Sequence, residues 1–262
     1  MTSLTKMLSL LEHFDDRNMT LDVARAAEIA RASRATAYRY LKELTDAGLL
    51  AASVDGTYVL GPAVMELEAL MRQNDPLLNA ARGIIRRRAE ELGVNIMLCS
   101  YYGSRVLCAD LAWPDRSVPE IYQRGRSMPI FRGAMAKAIL ANLSDYQRRQ
   151  LYKLNADAIR EAGLADSWKG FAKAMSDIRS AGVVITHGEV FDALVGVAAP
   201  VCDVERRVLG SVVFVIGQAR FETMNADELS NVLMQIAQEI ERSLALKLSL
   251  AATAHYPPVR AR

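Results

Sequence analysis

The apolar pattern between residues 21 and 61 constrains the fold more than any other feature of this sequence. Apolar residues spaced at the helical period predict a short helix over 23–30. This segment follows Asp22, a residue type that caps helix N-termini. A second helical period begins after Ser33 and ends near Gly48. Two short helices separated by so few residues are typical of a helix-turn-helix.

Two flanking features complete this pattern. Apolar residues recur at the helical period from Leu4 to Phe14 and predict a first helix. After the second period, two apolar runs surround Asp55-Gly56, a dipeptide that favours tight hairpins. Three helices followed by a hairpin predict a winged helix-turn-helix domain over residues 1–61.

A helical wheel divides the segment that starts at Ser33 into two faces. Four apolar residues lie within one 100° arc and predict the core side: Ala37, Tyr40, Leu41 and Leu44. The opposite side carries a small residue, Ala35, beside hydrogen-bonding and cationic groups. A helix that reads the major groove needs this arrangement, with its N-terminal residues at base edges and basic residues at phosphates.

We therefore expect this helix to contact DNA, with Arg39 as the candidate for a bidentate bond to guanine. Tyr38 is expected at a thymine methyl or a phosphate. The alternative for the isolated segment is a solvated amphipathic helix, and its context between a short helix and a hairpin favours DNA. The predicted DNA-contacting residues are Ser33, Arg34, Ala35, Thr36, Tyr38, Arg39 and Lys42 of the helix, with Thr57 and Tyr58 of the wing.

Charge supports a local DNA-binding patch rather than a basic domain. The net charge of the 262 residues is only +2, but the window 24–45 holds five basic residues and two acidic ones. The three cysteines have no CxxC spacing, which indicates reduced thiols without a zinc site. No apolar run reaches membrane-spanning length. We predict a soluble cytoplasmic protein that needs no cofactor and no metal.

The pattern changes after residue 61. Residues 62–75 predict a linker helix, and residues 76–252 predict a mixed domain in which helices alternate with strands. Residues 253–262 are predicted to be a flexible tail. The expected strands of the second domain are 94–102, 105–113, 195–203 and 207–217, with an extended piece at 119–125. Its expected helices are 133–142, 144–153, 167–181 and 225–249.

One helix start in the second domain predicts an anion site. The backbone N–H groups of Ala134 and Met135 follow Gly133 at the beginning of a predicted helix and have no acceptor within it. Arg132 directly precedes them, and its guanidinium matches a planar carboxylate. We expect the acid group of a small ligand here. The alternative for Arg132 is a surface salt bridge.

Catalytic constellations are scarce. His187 and Glu189 alternate along a predicted strand and are the only candidate metal ligands, although a third ligand is missing. An exposed polar edge is the favoured interpretation, and we predict that the protein is not an enzyme. Two alternatives stay open: an enzyme with a DNA-binding appendage that uses His187 and Glu189, and an architectural protein that binds DNA without sequence preference.

Several segments together resemble the IclR family of bacterial transcriptional regulators. They are the residues 21–50 and Tyr58 to Gly61 in the first domain, with "GRSMPIFRGAMAKAILA", "DIRSAGVVITHGEV", "VGVAAPV" and "GSVVFVIG" in the second. Three features depart from the family pattern. Arg31 stands where the turn between helices usually has glycine, and Ala134 to Lys137 replace Gly-x-Gly-Lys. Phe214 and Ile216 stand where the last strand of the family often has two small polar residues that face the ligand.

The resemblance implies an α+β chain in which a winged helix-turn-helix is joined by a linker helix to a GAF-like effector domain with an antiparallel sheet. It implies a homodimer or a dimer of dimers that binds a palindromic operator in double-stranded DNA, senses a small carboxylate, and represses or activates a catabolic operon. By family position the ligand-lining residues are Thr186, Leu194 and Gly196, with Asp192 as a weaker candidate. Phe131, Phe214 and Ile216 complete the predicted set and predict a pocket apolar enough for an aromatic or acyl carboxylate.

Overall fold

The computed structural model describes residues 2–15 and 17–254 and divides the chain into two compact units, Met1–Asn74 and Asp75–Arg262. The first unit begins with helix α1, Ser3–Leu8, which continues as a 3₁₀ turn, Ser9–His13. The predicted first helix is therefore correct in position but changes its hydrogen-bonding pattern after Leu8.

The remaining elements of the first unit match the predicted order. They are helix α2, Val23–Ala30; helix α3, Arg34–Asp46; strand β1, Leu50–Ala52; strand β2, Tyr58–Leu60; and helix α4, Pro62–Asn74. Asp22 and Ser33 cap α2 and α3 by accepting the backbone N–H groups of Arg25 and Thr36. The core contains Leu10, Leu21, Ala26, Leu44 and the predicted apolar face of α3.

The second unit is built on one antiparallel sheet of six strands, in the order β5-β4-β3-β8-β7-β6. The strands are β3, Asn95–Tyr102; β4, Arg105–Ala112; β5, Ser127–Met128; β6, Val184–His187; β7, Leu194–Cys202; and β8, Val208–Gly217. The extended piece predicted at 119–125 is not a strand, and the short β5 lies just after it. The predicted α+β class with an antiparallel sheet is confirmed.

Helices surround this sheet. They are α5, Pro76–Leu92; α6, Ala134–Asn142; α7, Asp145–Glu161; α8, Trp168–Ala181; α9, Gln218–Phe221; and α10, Ala226–Ala254. Helix α7 is longer than predicted because the chain continues past a kink at Asn155. Helix α10 extends through Ala254, so residues 253 and 254 are helical and not part of a tail as predicted, and residues 255–262 lie outside the described part of the chain.

The two faces of the sheet pack against different helices, because side chains alternate along each strand. In β3, Ile96 and Leu98 face α5 and α10, whereas Met97 and Cys99 face α6. Helices α6, α7 and α8 enclose a further cluster around Phe171. No helix among residues 2–15 and 17–254 combines the length and apolarity needed to cross a membrane.

Candidate functional site

Helix α3 presents the predicted pair of faces. Ala37, Tyr40, Leu41 and Leu44 are buried, whereas Ala35, Tyr38, Arg39 and Lys42 are exposed. Tyr38 is 54% exposed, which is high for an aromatic residue. Lys42 lies 3.5 Å from Asp46, while the Arg39 side chain makes no hydrogen bond or ion pair within the described residues. The outer face of α3 therefore offers an unoccupied guanidinium beside a small residue and an exposed ring.

The first turn of α3 is fixed by its own hydroxyl groups. The Ser33 Oγ accepts the Thr36 backbone N–H at 3.2 Å and lies 3.0 Å from the Thr36 Oγ1. These bonds satisfy an N–H group that the helix itself leaves without an acceptor. Ser33 and Thr36, both predicted to contact DNA, thus also hold the helix start in place.

The turn between α2 and α3 keeps a left-handed residue without glycine. Arg31 has φ 47° and ψ 55°, and its N–H group bonds to the Glu28 carbonyl. The side chain of Lys6 also donates to the Arg31 carbonyl. The departure from the family pattern therefore changes the residue type but not the handedness of the turn.

Side-chain hydrogen bonds hold the turn of the hairpin wing. Thr57 donates its N–H and its hydroxyl to the Asp55 carboxylate, which lowers the Asp55 pKa below its usual value. Tyr58 pairs with Leu21 through backbone bonds and is packed partly against the core. Val54 at the tip of the loop is fully exposed, whereas the predicted contact Tyr58 is only partly exposed.

The second candidate site is a cavity between the sheet and the start of α6. Met97, Val213 and Val215 of the sheet form one side, and Gly196 lies next to Val215 in the paired strand. Helix α6 approaches closely here, because a Cβ atom at Gly196 would lie 3.4 Å from the Ala134 Cβ. Other lining residues are Tyr122, Gly133, Ala134, Met135, Thr186, Glu189, Val190, Leu194 and Val195.

Five of the ten predicted ligand-lining residues come together in this cavity: Ala134, Met135, Thr186, Leu194 and Gly196. Phe131 instead packs in the cluster of α6, α7 and α8. Arg132 and Asp192 are exposed at the surface and do not line the cavity. Their proximity in sequence to the helix start and to Leu194 does not bring their side chains into the cavity.

The prediction for Phe214 and Ile216 is wrong by one residue in strand alternation. Both side chains lie on the α5 and α10 face of the sheet, in the same cluster as Ile96. Their neighbours Val213 and Val215 face the cavity. Because a shift of one residue exchanges the two faces of a strand, the error moves the side chains across the sheet. The cavity is nevertheless lined mainly by apolar residues, although Phe214 and Ile216 do not contribute to it.

The predicted anion site at the start of α6 is occupied by a carboxylate of the chain itself. Glu189 Oε2 accepts the Gly133 backbone N–H at 2.8 Å, and Glu189 Oε1 is paired with the Lys137 ammonium. Ala134 and Met135, the first residues of the helix, have no acceptor for their N–H groups within it. The helix start thus binds a carboxylate, but through the Gly133 N–H and the Lys137 ammonium rather than through the predicted N–H groups of Ala134 and Met135 and the Arg132 guanidinium.

Gly133 is required by this geometry. Its φ is 83°, and a Cβ atom there would lie 2.8 Å from both the Met135 Sδ and the Val190 Cγ2. Any other residue at this position would therefore have a strained backbone, and its side chain would fill the part of the cavity next to the helix start.

The free volume of the cavity is about 20 Å³, enough for one water molecule. A larger ligand fits only if side chains move, and the flexible thioether of Met135 is suited to that. Burial raises the pKa of Tyr122 to about 12, with a further contribution from Cys99. The Tyr122 phenol therefore stays protonated at neutral pH and remains a hydrogen-bond donor in the cavity wall.

His187 and Glu189 do not form a joint site. Strand β6 ends at His187, and Gly188 turns the chain with φ 64°. The His187 Nδ1 lies 3.2 Å from the Gln218 Oε1, while Glu189 binds Gly133 and Lys137. The expectation that they alternate along one strand is therefore wrong. The described residues contain no group of three side chains placed to hold a metal ion.

Sequence reasoning missed Met97, Tyr122, Val190, Val195, Val213 and Val215 as lining residues, and it favoured an exposed polar edge for Glu189 rather than a place in this cavity. Side chains alternate between the two faces along β3 and β8, and Met97 and Val213 lie on the same face because these two residues are paired. This alternation is the signal that could have identified the strand residues of the cavity. Tyr122 and Val190 lie outside strands and helices, and no sequence period marks them.

Comparison with known proteins gives one consistent result. Residues 69–242 match the family profile of the bacterial transcriptional regulator IclR C-terminal domain, and residues 3–53 match the IclR helix-turn-helix domain. The Pca regulon regulatory protein of Pseudomonas putida is 26% identical over 215 residues, which are 81% of this chain and 73% of that protein.

Solved structures share the fold over almost the whole chain. An IclR homolog from Microbacterium hydrocarbonoxydans, complexed with 4-hydroxybenzoate, has a TM-score of 0.71 at 18% identity and covers 93% of this chain and 99% of its own. The IclR transcriptional regulator from Alicyclobacillus acidocaldarius has a TM-score of 0.74 at 17% identity, with coverage of 93% and 98%.

Proposed function

The chain belongs to the IclR family of bacterial transcriptional regulators, and from this premise we propose that it binds a specific DNA operator under the control of a small organic carboxylate. The family is one of regulators rather than enzymes, which confirms the prediction that the chain is not an enzyme. The first unit carries a helix-turn-helix DNA-binding domain, and the second carries the effector-binding domain.

The observation that carries the effector proposal is the carboxylate already held at the start of α6. Glu189 shows that the Gly133 N–H and the Lys137 ammonium together bind a carboxylate at the edge of an apolar cavity. Charge-assisted bonds of this kind are about twice as strong as neutral ones. We propose that an effector places its acid group on the same two donors and displaces Glu189.

The walls favour an aromatic or acyl acid over a two-carbon keto acid. Met97, Val213 and Val215 offer apolar contacts to a ring, and Tyr122 offers one donor. The homolog from Microbacterium hydrocarbonoxydans, complexed with 4-hydroxybenzoate, supports this class of ligand. Calorimetric titration with benzoate, 4-hydroxybenzoate, pyruvate and glyoxylate tests the proposal. Tighter binding of the two keto acids contradicts it.

The DNA proposal depends on the outer face of α3. Arg39 is proposed to contact a guanine edge, and Tyr38 and Lys42 are proposed to contact neighbouring groups. Fluorescence anisotropy of the protein on the DNA upstream of its own gene, against scrambled competitor and across a salt series, tests site-specific binding. Equal affinity for scrambled DNA with a steep salt dependence would favour an architectural binder instead.

Two copies of the chain are proposed to act together. Helix α4 has no buried residue in the described structure of its unit, and Leu67, Leu70 and Met71 lie within one 100° arc of its surface. Leu4 and Leu8 form a similar exposed pair on α1. Pairing of these faces between copies would bury them and place two α3 helices on a palindromic operator.

Control of DNA affinity by the acid requires reciprocal coupling. If the acid changes the affinity for DNA by some factor, DNA changes the affinity for the acid by the same factor. We propose that α4 transmits this change and that the regulated genes degrade the sensed acid. Anisotropy with saturating benzoate, combined with calorimetry in the presence of operator DNA, measures both sides of the cycle. An acid that binds without altering DNA affinity contradicts the proposal.

A further inference from the structure

A second cavity in the effector domain lies on the opposite face of the sheet from the carboxylate site. It has a volume of about 270 Å³ and lies between the ends of β3, α5 and α10. Its lining is mainly apolar, and includes Leu77, Tyr101, Leu209 and Leu244. This volume is close to the lower limit of ordinary small-molecule sites.

A buried hydroxyl group marks the polar part of this cavity. The Ser100 side chain is 3% exposed, and its Oγ makes no hydrogen bond within 3.5 Å among the described residues. Strand alternation places it on the same face as Leu98, towards α5 and α10. The Tyr102 hydroxyl donates to the Asp75 Oδ2 at 3.0 Å, and the neighbouring Ser100 hydroxyl, beyond hydrogen-bond distance, acts to lower the Tyr102 pKa. Buried hydroxyls without partners are uncommon and costly, so Ser100 points to a ligand group.

The charges around the cavity define the chemistry of that ligand. Asp75 and Asp203 both line the cavity. Burial is the main cause that raises the Tyr102 pKa, and the Asp75 carboxylate raises it further. Asp203 has a lowered pKa because backbone and side-chain bonds from Arg207 outweigh its desolvation. Two carboxylates repel a carboxylate anion but accept hydrogen bonds from O–H donors.

We propose that this cavity, lined by Ser100, Asp75 and the leucines of α5 and α10, binds a neutral phenol-type or cyclic alcohol ligand. The ring would contact Leu77, Leu209 and Leu244, and the hydroxyl would bond to Ser100. This second ligand differs in charge from the effector carboxylate and binds on the other face of the sheet. Its occupancy does not depend on the proposed effector or operator.

Ligand-observed NMR titration of the full chain with phenol tests this site. We expect saturable binding to the wild type. Ser100→Ala should weaken it about five- to tenfold, because one hydrogen bond to a buried group is lost. Leu248→Trp should abolish it, because Leu248 is 42% exposed at the cavity mouth and a larger ring would fill the opening.

Ser211→Ala is the matched control. Ser211 is also a buried serine of the sheet, but its hydroxyl donates to the Met135 carbonyl on the α6 face. Phenol affinity should stay unchanged in this variant. Thermal unfolding of all variants checks that they are folded, and Ser100→Ala should not lower the transition temperature because it removes a hydroxyl without a partner.

Several results would overturn the proposal. They are the absence of saturable phenol binding, an unchanged affinity in both Ser100→Ala and Leu248→Trp, and displacement of phenol by benzoate. If the wild type binds no phenol and Leu248→Trp alters the mass measured by light scattering, the proposal is wrong and this cavity is covered by a second copy of the chain. Failure of benzoate itself to bind bears only on the effector proposal, because the Ser100 and Leu248 variants test the second cavity without it.

Discussion

At the scale of single residues, Glu189 decides how the carboxylate site works. Its side chain is partly buried and satisfies the helix start through Gly133 while pairing with Lys137. An incoming acid must therefore compete with a carboxylate that is always present at high local concentration. At the proposed effector site, we expect the affinity for an acid to be set by the difference between the binding free energies of that acid and of Glu189, rather than by the donors alone.

Neutralising Glu189 should strengthen acid binding. We expect Glu189→Gln to raise the affinity for the proposed effector about three- to tenfold, because the amide binds the Lys137 ammonium less strongly than a carboxylate does. Calorimetric titration with benzoate measures the change. Asp192→Asn is the matched control, since it removes an exposed carboxylate three residues away that does not line the cavity. Equal affinities in wild type and Glu189→Gln would contradict the competition.

We expect Arg39 to carry the specificity of the proposed DNA contact. Arg39→Ala should weaken operator binding by about 1–3 kcal/mol and relax the preference at one base position. Lys42→Ala is the comparison, because a phosphate contact should weaken binding to all sequences and reduce the salt slope by about one. Anisotropy on an operator library with single base changes distinguishes the two. A uniform loss for Arg39→Ala would make it a phosphate contact.

At the scale of elements, the α2–α3 turn shows that tertiary context can hold a residue type in an unfavourable conformation. A left-handed arginine costs about 1 kcal/mol relative to glycine. The Arg31 N–H bond to Glu28 and the Lys6 bond to its carbonyl compensate part of this cost. The turn therefore keeps the geometry that places α3 without the usual glycine.

Glycine at this turn should be more stable than alanine. We expect the free energy of unfolding of Arg31→Gly to exceed that of Arg31→Ala by about 1 kcal/mol, because both remove the side chain but only glycine adopts φ 47° without strain. Urea denaturation of the two variants gives the difference directly. Equal stabilities would show that the turn has relaxed to a different conformation in the alanine variant.

Helix α4 is the element whose apolar face is left uncovered within its own unit. Leu67→Glu should dissociate the proposed oligomer, because it places a charge in the middle of the Leu67, Leu70 and Met71 face. Light scattering after size exclusion measures the mass. Glu68→Gln, a change next to that face, should leave the mass unaltered. An unchanged mass for Leu67→Glu would exclude this face from the interface.

At the scale of the whole molecule, burial explains the behaviour of the three cysteines. Burial raises the pKa of Cys108 to about 12 and that of Cys202 to about 11, with nearby carboxylates adding to both shifts. Cys99 is fully buried and its pKa is raised as well. The folded chain therefore favours protonated thiols, in agreement with the interpretation of these residues as reduced thiols.

Thiol reactivity should report on global unfolding. At pH 8 we expect reaction with a disulfide reagent to be at least about a hundredfold slower in the folded chain than in guanidinium, where all three thiols react. Because the folded pKa values are raised, the protonated thiols stabilise the fold fully below pH 9, and this contribution is lost as the pH rises through about 11. A fast phase in the native chain would contradict the burial.

The sequence alone determined the local features of this protein. The caps at Asp22 and Ser33, the two faces of α3, the Asp55-Gly56 hairpin and the start of α6 follow from short-range spacing and residue type. Such features depend on contacts a few residues apart, which a helical or strand period records directly. The order of these elements also predicted the α+β class, whereas the antiparallel sheet was implied by the resemblance to the IclR family.

Only the tertiary structure decided which residues meet in the cavities. Met97 and Val213 are far apart in sequence and become neighbours when β3 pairs with β8. That register sends Phe214 and Ile216 to the α5 and α10 face, and a loop after β6 brings Glu189 to the start of α6. Strand order and loop path depend on the packing of both sheet faces at once, and no local period encodes them.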